Sequence, residues 1–372
     1  MSRLRSVILD ELELPLRSPF VTSFGTERRR RFLIVQVRGA TGETGWGECV
    51  AARDPLYSSE TVDTASWAIR TQILPRLSGV EEVEPALFRQ RTAPIQGHRM
   101  AKAAVEMALW DLQARERKVS LAVALGAKRR RVEVGVSVGI PATVERLLRE
   151  VRGYVDEGYR RVKLKVRPGW DAVPVASVRR EFPELRLWVD ANQAYSPNAS
   201  RRIARWAARY DVEQVEQPFP ERALRAHAEL QRGAPFRVCL DESIVDSSSL
   251  EDALETRALR SLNIKPGRVG GLLPSLGLAR RATRGRVRPW VGGMLESGIG
   301  RAQNLALAAV SLFSLPPDLS ASRRYFEHDL LTAPFRLDSG GGLEVPTGPG
   351  SGVEVDAREY RRRLLRRRRI GP

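Results

Sequence analysis

The sequence predicts an α/β protein built around a parallel (β/α) barrel, with a second lobe of mixed strands and helices. Two observations carry that expectation. Between residues 161 and 301, short apolar runs end on a charged residue at an almost fixed interval. The 372-residue chain is also too long for one small domain and long enough for a barrel plus another lobe.

Five runs line up: RVKLK at 161–165, LWVD at 187–190, VEQVE at 212–216, VCLD at 238–241 and LNIK at 262–265. Their last residues are Lys165, Asp190, Glu216, Asp241 and Lys265, separated by steps of 24 to 26. A buried parallel strand takes about five residues, a crossover helix about a dozen, and two short loops the rest. The runs are rich in Val, Leu and Ile, as strands covered on both faces are. Catalytic groups of such a barrel sit at the C-terminal ends of its strands, so the five charges would converge on one mouth. A single charge after a strand is ordinarily a solvated loop residue or a helix cap. Five in register do not fit that explanation.

Three buried carboxylates repel one another unless a divalent cation sits among them. An all-oxygen donor set suits Mg²⁺, with Mn²⁺ as the alternative, rather than zinc. Lysines flanking such a cation would have depressed pKa values and could act as bases near neutral pH. The chemistry indicated is proton abstraction next to a carboxylate, with the metal holding the enediolate.

The motifs at 163–165 (KLK), 189–192 (VDAN), 215–218 (VEQP), 240–243 (LDES) and 263–266 (NIKP) resemble those of the enolase superfamily, muconate-lactonizing subgroup. Over nearly its whole length the chain resembles, more narrowly, the o-succinylbenzoate synthase / N-succinylamino acid racemase family. That match rests on residues 19–25 (PFVTSFG), 45–49 (GWGEC), 55–60 (PLYSSE), 97–100 (GHRM), 135–139 (GVSVG), 263–271 (NIKPGRVGG) and 292–298 (GGMLESG). The resemblance implies a modified TIM barrel, (β/α)7β, under an α+β capping domain. Residues 1–130 would form the cap and 131–322 the barrel, with 323–372 returning to the cap. It implies Lys165 and Lys265 as the catalytic pair and Asp190, Glu216 and Asp241 as ligands of Mg²⁺. Lys163, Asn192, Glu242 and Arg268 would support them, Lys163 by lowering the pKa of Lys165 and Arg268 likewise for Lys265. Phe20, Phe24 and Tyr57 from two lids, with Ser137 and Met294 from the barrel, would contact a small-molecule carboxylate substrate.

The formal net charge of +18 raises the question of a nucleic-acid partner. The basic residues are scattered, at 28–31, 128–131, 280–286 and 361–369, and no nucleic-acid motif accompanies them. The expectation is an arginine-rich surface that attracts anionic substrates and binds no nucleic acid. No run of about 18 apolar residues suggests a membrane span. The start lacks a signal-peptide pattern. Two cysteines, Cys49 and Cys239, and three histidines without metal spacing fit a reducing cytoplasm and argue against zinc. A homo-oligomer is expected.

Along the chain, residues 5–50 read as antiparallel strands, and 60–77 and 100–117 as helices with core-facing stripes. Residues 132–138 read as the first barrel strand, with Thr143 capping the helix that follows. The glycine-rich stretch 292–300 precedes a helix and could hold a phosphate, although the resemblance makes it line the substrate carboxylate. An eighth strand is expected near 312–315, and 360–369 reads as a frayed basic helix end.

Overall fold

The computed structural model describes residues 4–80 and 82–371. The chain opens with β1 (Leu4–Val21), β2 (Thr26–Gly39) and β3 (Thr44–Cys49). Helices α1 (Val62–Ala68), α2 (Pro85–Thr92), α3 (Arg99–Glu116) and α4 (Leu121–Ala124) follow, α1 running on through a π turn. Next come β4 (Arg131–Glu133), β5 (Val136–Val138), α5 (Val144–Asp156), β6 (Arg161–Lys165), α6 (Ala172–Glu181) and β7 (Arg186–Asp190). Then α7 (Ser200–Arg209), β8 (Gln214–Glu216), α8 (Leu224–Gln231), β9 (Arg237–Leu240), α9 (Ser247–Glu255) and β10 (Ser261–Ile264) continue the alternation. The chain ends with α10 (Pro266–Val269), α11 (Leu272–Arg284), β11 (Arg288–Val291), α12 (Gly298–Ala308), β12 (Gly342–Glu344), α13 (Ala357–Arg363) and β13 (Leu364–Ile370).

Strands β5 to β11 form one seven-stranded sheet in sequence order, joined in parallel. Side chains alternate across each strand. Val162, Leu164, Leu187, Val189, Val215, Leu240 and Ile264 therefore share the core between sheet and outer helices, and the intervening polar residues face inward. Lys165 lies opposite Asp190, and Asp190 opposite Glu216, so the charged ends stand level. Thr143 caps α5 as expected, accepting from Arg146 N at 3.3 Å.

Three local expectations are corrected. Among the described residues no strand occupies 312–315. The eighth barrel position is closed by an irregular segment in which Ser314 N and Asp318 N donate to Pro289 and Val291 of β11, while Gly135 N donates to Pro317 O. Pro316 and Pro317 have no N–H for a ladder, which accounts for the irregularity. The expected strand 132–138 is two strands: β4 pairs with β12, and β5 starts the barrel. The break falls at Gly135, where a Cβ would lie 2.0 Å from the Arg161 guanidinium carbon. That guanidinium crosses the barrel floor, 4.4 Å from the Trp188 ring centroid, and donates to Pro317 O at 2.7 Å.

The third correction is the tail. Residues 360–369 are the end of α13 followed by β13, which pairs antiparallel with β1 in a sheet of order β13-β1-β2-β3. Arg367 stands opposite Asp10 and bonds both its oxygens, at 2.7 and 2.8 Å. Buried Tyr360 donates to the same carboxylate at 2.8 Å. These contacts hold the arginine run extended.

Helix α3 covers the antiparallel sheet, and its Leu109 and Leu112 share a core with Leu33, Val35 and Val37. Buried carboxylates join this layer to the barrel. Glu106 on α3 accepts from Leu272 N and Leu273 N at the start of α11, each at 2.8 Å. Gly271, at φ +127°, leaves room for it, since a Cβ there would lie 2.4 Å from Glu106 Oε2. Among the described residues no helix is long and apolar enough to cross a membrane.

Candidate active site

A cavity of about 390 Å³ lies between the antiparallel sheet and the C-terminal ends of the barrel strands. Lys163, Lys165, Asp190, Asn192 and Lys265 line it from the barrel, as do Ser137 and Met294. Phe20, Phe24 and Tyr57 line it from the two cap loops. Glu216, Asp241, Glu242 and Arg268 do not line it and are buried behind that wall.

Position around the barrel sets the geometry. Counting β5 as first, β6 is second and β10 sixth of eight positions, the last being the irregular closure. Lys165 and Lys265 therefore stand on opposite walls, with Asp190, Glu216 and Asp241 on the strands between. Lys165 Nζ donates to Asp190 Oδ2 and Asn192 Oδ1, both at 2.6 Å. Asn192 Nδ2 donates onward to Glu242 Oε1 at 2.9 Å. Lys163 Nζ bonds Glu216 Oε2 at 2.6 Å, and Asn263 Nδ2 takes the other Glu216 oxygen at 2.6 Å. Lys265 Nζ donates to Asp241 Oδ2 at 2.7 Å and to the Tyr57 hydroxyl at 3.0 Å. Arg268 Nη1 donates to the remaining Asp241 oxygen. Asn192 and Gln217, just beyond β7 and β8, hold left-handed backbone at φ 42° and 34°. Such strain in non-glycine residues concentrates at functional sites.

The electrostatics are those of a crowded, buried charge network. Burial would raise the Asp190 pKa, but Lys165 and Lys163 outweigh it and bring it down to about 2. Burial and the neighbouring Asp190 push Glu216 up, and the same two causes push Glu242 up. At Lys265 burial favours the neutral amine, yet Tyr57, Glu242 and Glu216 prevail and hold its pKa above the ordinary range. The depression expected at Lys265 from Arg268 is outweighed by the acidic groups that face its ammonium. Lys163 is likewise raised: burial opposes its charge, but Asp318, Glu216 and Asp190 outweigh it.

Among the described residues no three Asp, Glu, His or Cys side chains are gathered tightly enough to hold an ion as they stand. Each expected ligand is instead turned onto a lysine. The donor set nevertheless fits a hard dication. It is all oxygen. Burial and then the charge of Asp190 raise Glu216 within it, and Glu242 Oε2 beside it is buried with no hydrogen-bond partner.

Sequence reasoning missed Asp318. It lines the cavity from the eighth position, and its oxygens meet Lys163 Nζ and Arg161 Nη1, each at 2.5 Å, with Ser137 Oγ at 3.1 Å. The available signal was an acid directly after the apolar run and prolines at 313–317. The glycine-rich stretch holds no free anion site at α12. Glu48 of β3 already accepts from Ser297 N at 3.0 Å and Gly300 N at 3.1 Å, and Asp329 accepts from Gly298 N at 2.7 Å.

Residues 5–126 match the mandelate racemase / muconate lactonizing enzyme N-terminal domain, and 146–360 the enolase C-terminal domain-like family. The protein is thereby a member of the enolase superfamily of enzymes. It is 45% identical to N-succinylamino acid racemase of Amycolatopsis sp., over 94% of this chain and 95% of that one. It is 41% identical to o-succinylbenzoate synthase of Geobacillus kaustophilus, over 96% and 94%. An enolase-superfamily protein from Listeria innocua superposes with a TM-score of 0.95 at 40% identity, covering 100% of both chains. The chain belongs to the o-succinylbenzoate synthase / N-succinylamino acid racemase family.

Proposed function

We propose that the protein is an o-succinylbenzoate synthase. It would dehydrate 2-succinyl-6-hydroxy-2,4-cyclohexadiene-1-carboxylate to 2-succinylbenzoate, a step of menaquinone biosynthesis. The observation that carries this reading is the placement of Lys165 and Lys265 on opposite walls of one cavity, with three carboxylates on the strands between. Asp190, Glu216 and Asp241 would hold Mg²⁺, which when bound supplies positive charge to the substrate carboxylate and so acidifies the neighbouring C–H. Lys165, as the neutral amine, takes that proton. The C–H electron pair becomes the new ring double bond as the C–O bond at the neighbouring carbon breaks. Lys165 returns the proton to the departing hydroxyl, so that water leaves and the ring becomes aromatic. Lys265, cationic on the opposite wall, stabilises the negative charge that develops on the substrate carboxylate. Asn192 fixes the Lys165 ammonium through its 2.6 Å contact and is itself held by Glu242. Tyr57 closes the Lys265 side. Phe20, Phe24, Ser137 and Met294 form the walls around the succinyl arm.

The opposed lysines also support a second reaction on the same atoms. With one lysine on each face of an α-carbon, one removes the proton and the other delivers it, which racemises an N-succinylamino acid. Both readings are tested on chelated protein with Mg²⁺ or Mn²⁺ added back. We expect turnover of the cyclohexadiene carboxylate, of N-succinylamino acids, or of both, lost on chelation and regained with the metal. No turnover of either substrate class, or full activity after exhaustive chelation, would sink the assignment.

A further inference from the structure

The substrates of the proposed reactions carry two carboxylates, and the strand ends account for one. The second lies at the far end of a flexible arm. Five arginines line the cavity from the cap: Arg28, Arg29, Arg30, Arg31 and Arg53. Among these Arg30 alone is buried, at 3% exposure. It sits on β2 in alternation with Phe32 and Ile34, which pack with Ile299 and Tyr325. That face of the strand is turned toward the barrel. Its Nη1 donates to Glu27 Oε1 at 3.2 Å and its Nη2 to Val50 O, so the guanidinium is fixed in place. Its Nε is buried and has no hydrogen-bond partner.

A buried donor is normally paired. Arg161, Arg237 and Arg301 also keep a buried Nε without a partner, but of the arginines that the cap contributes to the cavity Arg30 is the one in which the bare Nε is buried. For a dicarboxylate substrate, a carboxylate oxygen is the acceptor that would suit this Nε–H. Arginine out of water is also the side chain best suited to bind one. We propose that Arg30 is a specificity-determining residue that reads the distal carboxylate of the succinyl arm through Nε–H. This rests on the succinyl-substrate reading above. It divides recognition between the two lobes: the barrel ends take the reacting carboxylate, and a cap strand measures the length and charge of the arm.

The test compares binding of two probes to the Mg²⁺-loaded protein, so it does not depend on which reaction is turned over. 2-Succinylbenzoate carries the distal carboxylate; 2-butyrylbenzoate keeps the ring carboxylate and the chain but ends in a methyl group. Dissociation constants are measured by calorimetry for wild type, Arg30→Gln and Arg30→Lys. The wild type should prefer the succinyl probe. Arg30→Gln should reduce that preference by about 10- to 100-fold, the range for a charge-assisted hydrogen bond. Arg30→Lys, which keeps the charge without the fork, should recover part of it. A purely structural role would weaken both probes together and leave the ratio alone. An unchanged ratio in Arg30→Gln, or in Arg30→Lys should the glutamine variant not fold, overturns the inference. So does a wild type that binds both probes equally. A wild type that binds neither probe overturns the succinyl reading itself, which is a separate failure.

Discussion

Lys163 Nζ stands 2.5 Å from Asp318 Oδ2, across the seam where an irregular segment closes the barrel. Arg161 Nη1 holds the other oxygen of the same carboxylate at 2.5 Å. Burial would raise the Asp318 pKa, but Lys163 and Arg161 outweigh it and hold it well below the usual carboxylate range. Replacing Asp318 with Asn leaves two buried cations short of a partner. Breaking a buried pair in this way costs roughly 3–5 kcal/mol. The urea midpoint of Asp318→Asn should fall accordingly, and an unchanged midpoint would mean the pair carries no stability. Because the folded pKa is depressed, the wild-type contribution is present above the unfolded value and lost as pH falls through the folded one. The variant should lack that part of the acid transition.

His227 supplies a second pH-dependent term with its own window. It is fully buried, its Nδ1 donates to Ala223 O at 2.9 Å, and burial pushes its pKa down from 6.5 to about 4. Between those values the unfolded chain takes up a proton that the folded chain refuses. Stability should therefore fall as pH drops from 6.5 to about 4, by roughly 3 kcal/mol at most. Denaturant melts across this range should be shallower in pH for His227→Gln. Parallel slopes for the two proteins would refute the assignment.

The charged strand ends were legible because a repeat of 24 to 26 residues survives any choice of loop sequence. The cavity-lining set of Phe20, Phe24, Tyr57, Ser137 and Met294 was legible through resemblance, since nothing local distinguishes a lid phenylalanine from an exposed one. Asp318 was not legible. Its segment has two prolines and no alternation, so no period marks it as a barrel stave. β13 was hidden for a different reason. Alternation cannot be read where nearly every residue is arginine, and only the partner Asp10 across the sheet settles the conformation. Arg30 sits within four consecutive arginines, and only the register of β2 singles it out as the buried one.

Opposed lysines predict stereospecific exchange. In deuterated water with Mg²⁺, wild type should exchange the α-proton of an N-succinylamino acid from either enantiomer. Lys165→Ala should block removal from one hand and Lys265→Ala from the other, each by at least about 10²-fold. Proton NMR of the recovered enantiomers reads both. Equal losses for both hands in each variant would contradict the two-wall geometry.

The lid decides what sits between those lysines, and its wall is continuous with one of them. The Phe24 ring lies 5.7 Å from that of Tyr57, and the Tyr57 hydroxyl accepts from Lys265 Nζ at 3.0 Å. Ser23 Oγ ties the same loop to Asn192 O at 3.2 Å, on the Lys165 side. The loop therefore touches Asn192 directly and reaches Lys265 only through Tyr57 of the second lid, whose hydroxyl also donates to Asp241 Oδ1 at 3.5 Å. Phe24 is 38% exposed, so truncation removes only part of a ring's worth of burial. Phe24→Ala should lower kcat/KM for succinyl substrates by about 5- to 30-fold, corresponding to roughly 1–2 kcal/mol of lost apolar wall. Mg²⁺ affinity should not change, because the ring adds no charge to the carboxylate network. Both quantities are to be measured on the same variant, the metal by calorimetry and turnover by initial rates. Unchanged turnover, or metal binding weakened as much as turnover, would mean that the lid does not form the substrate wall and that discrimination among succinyl substrates comes from the barrel.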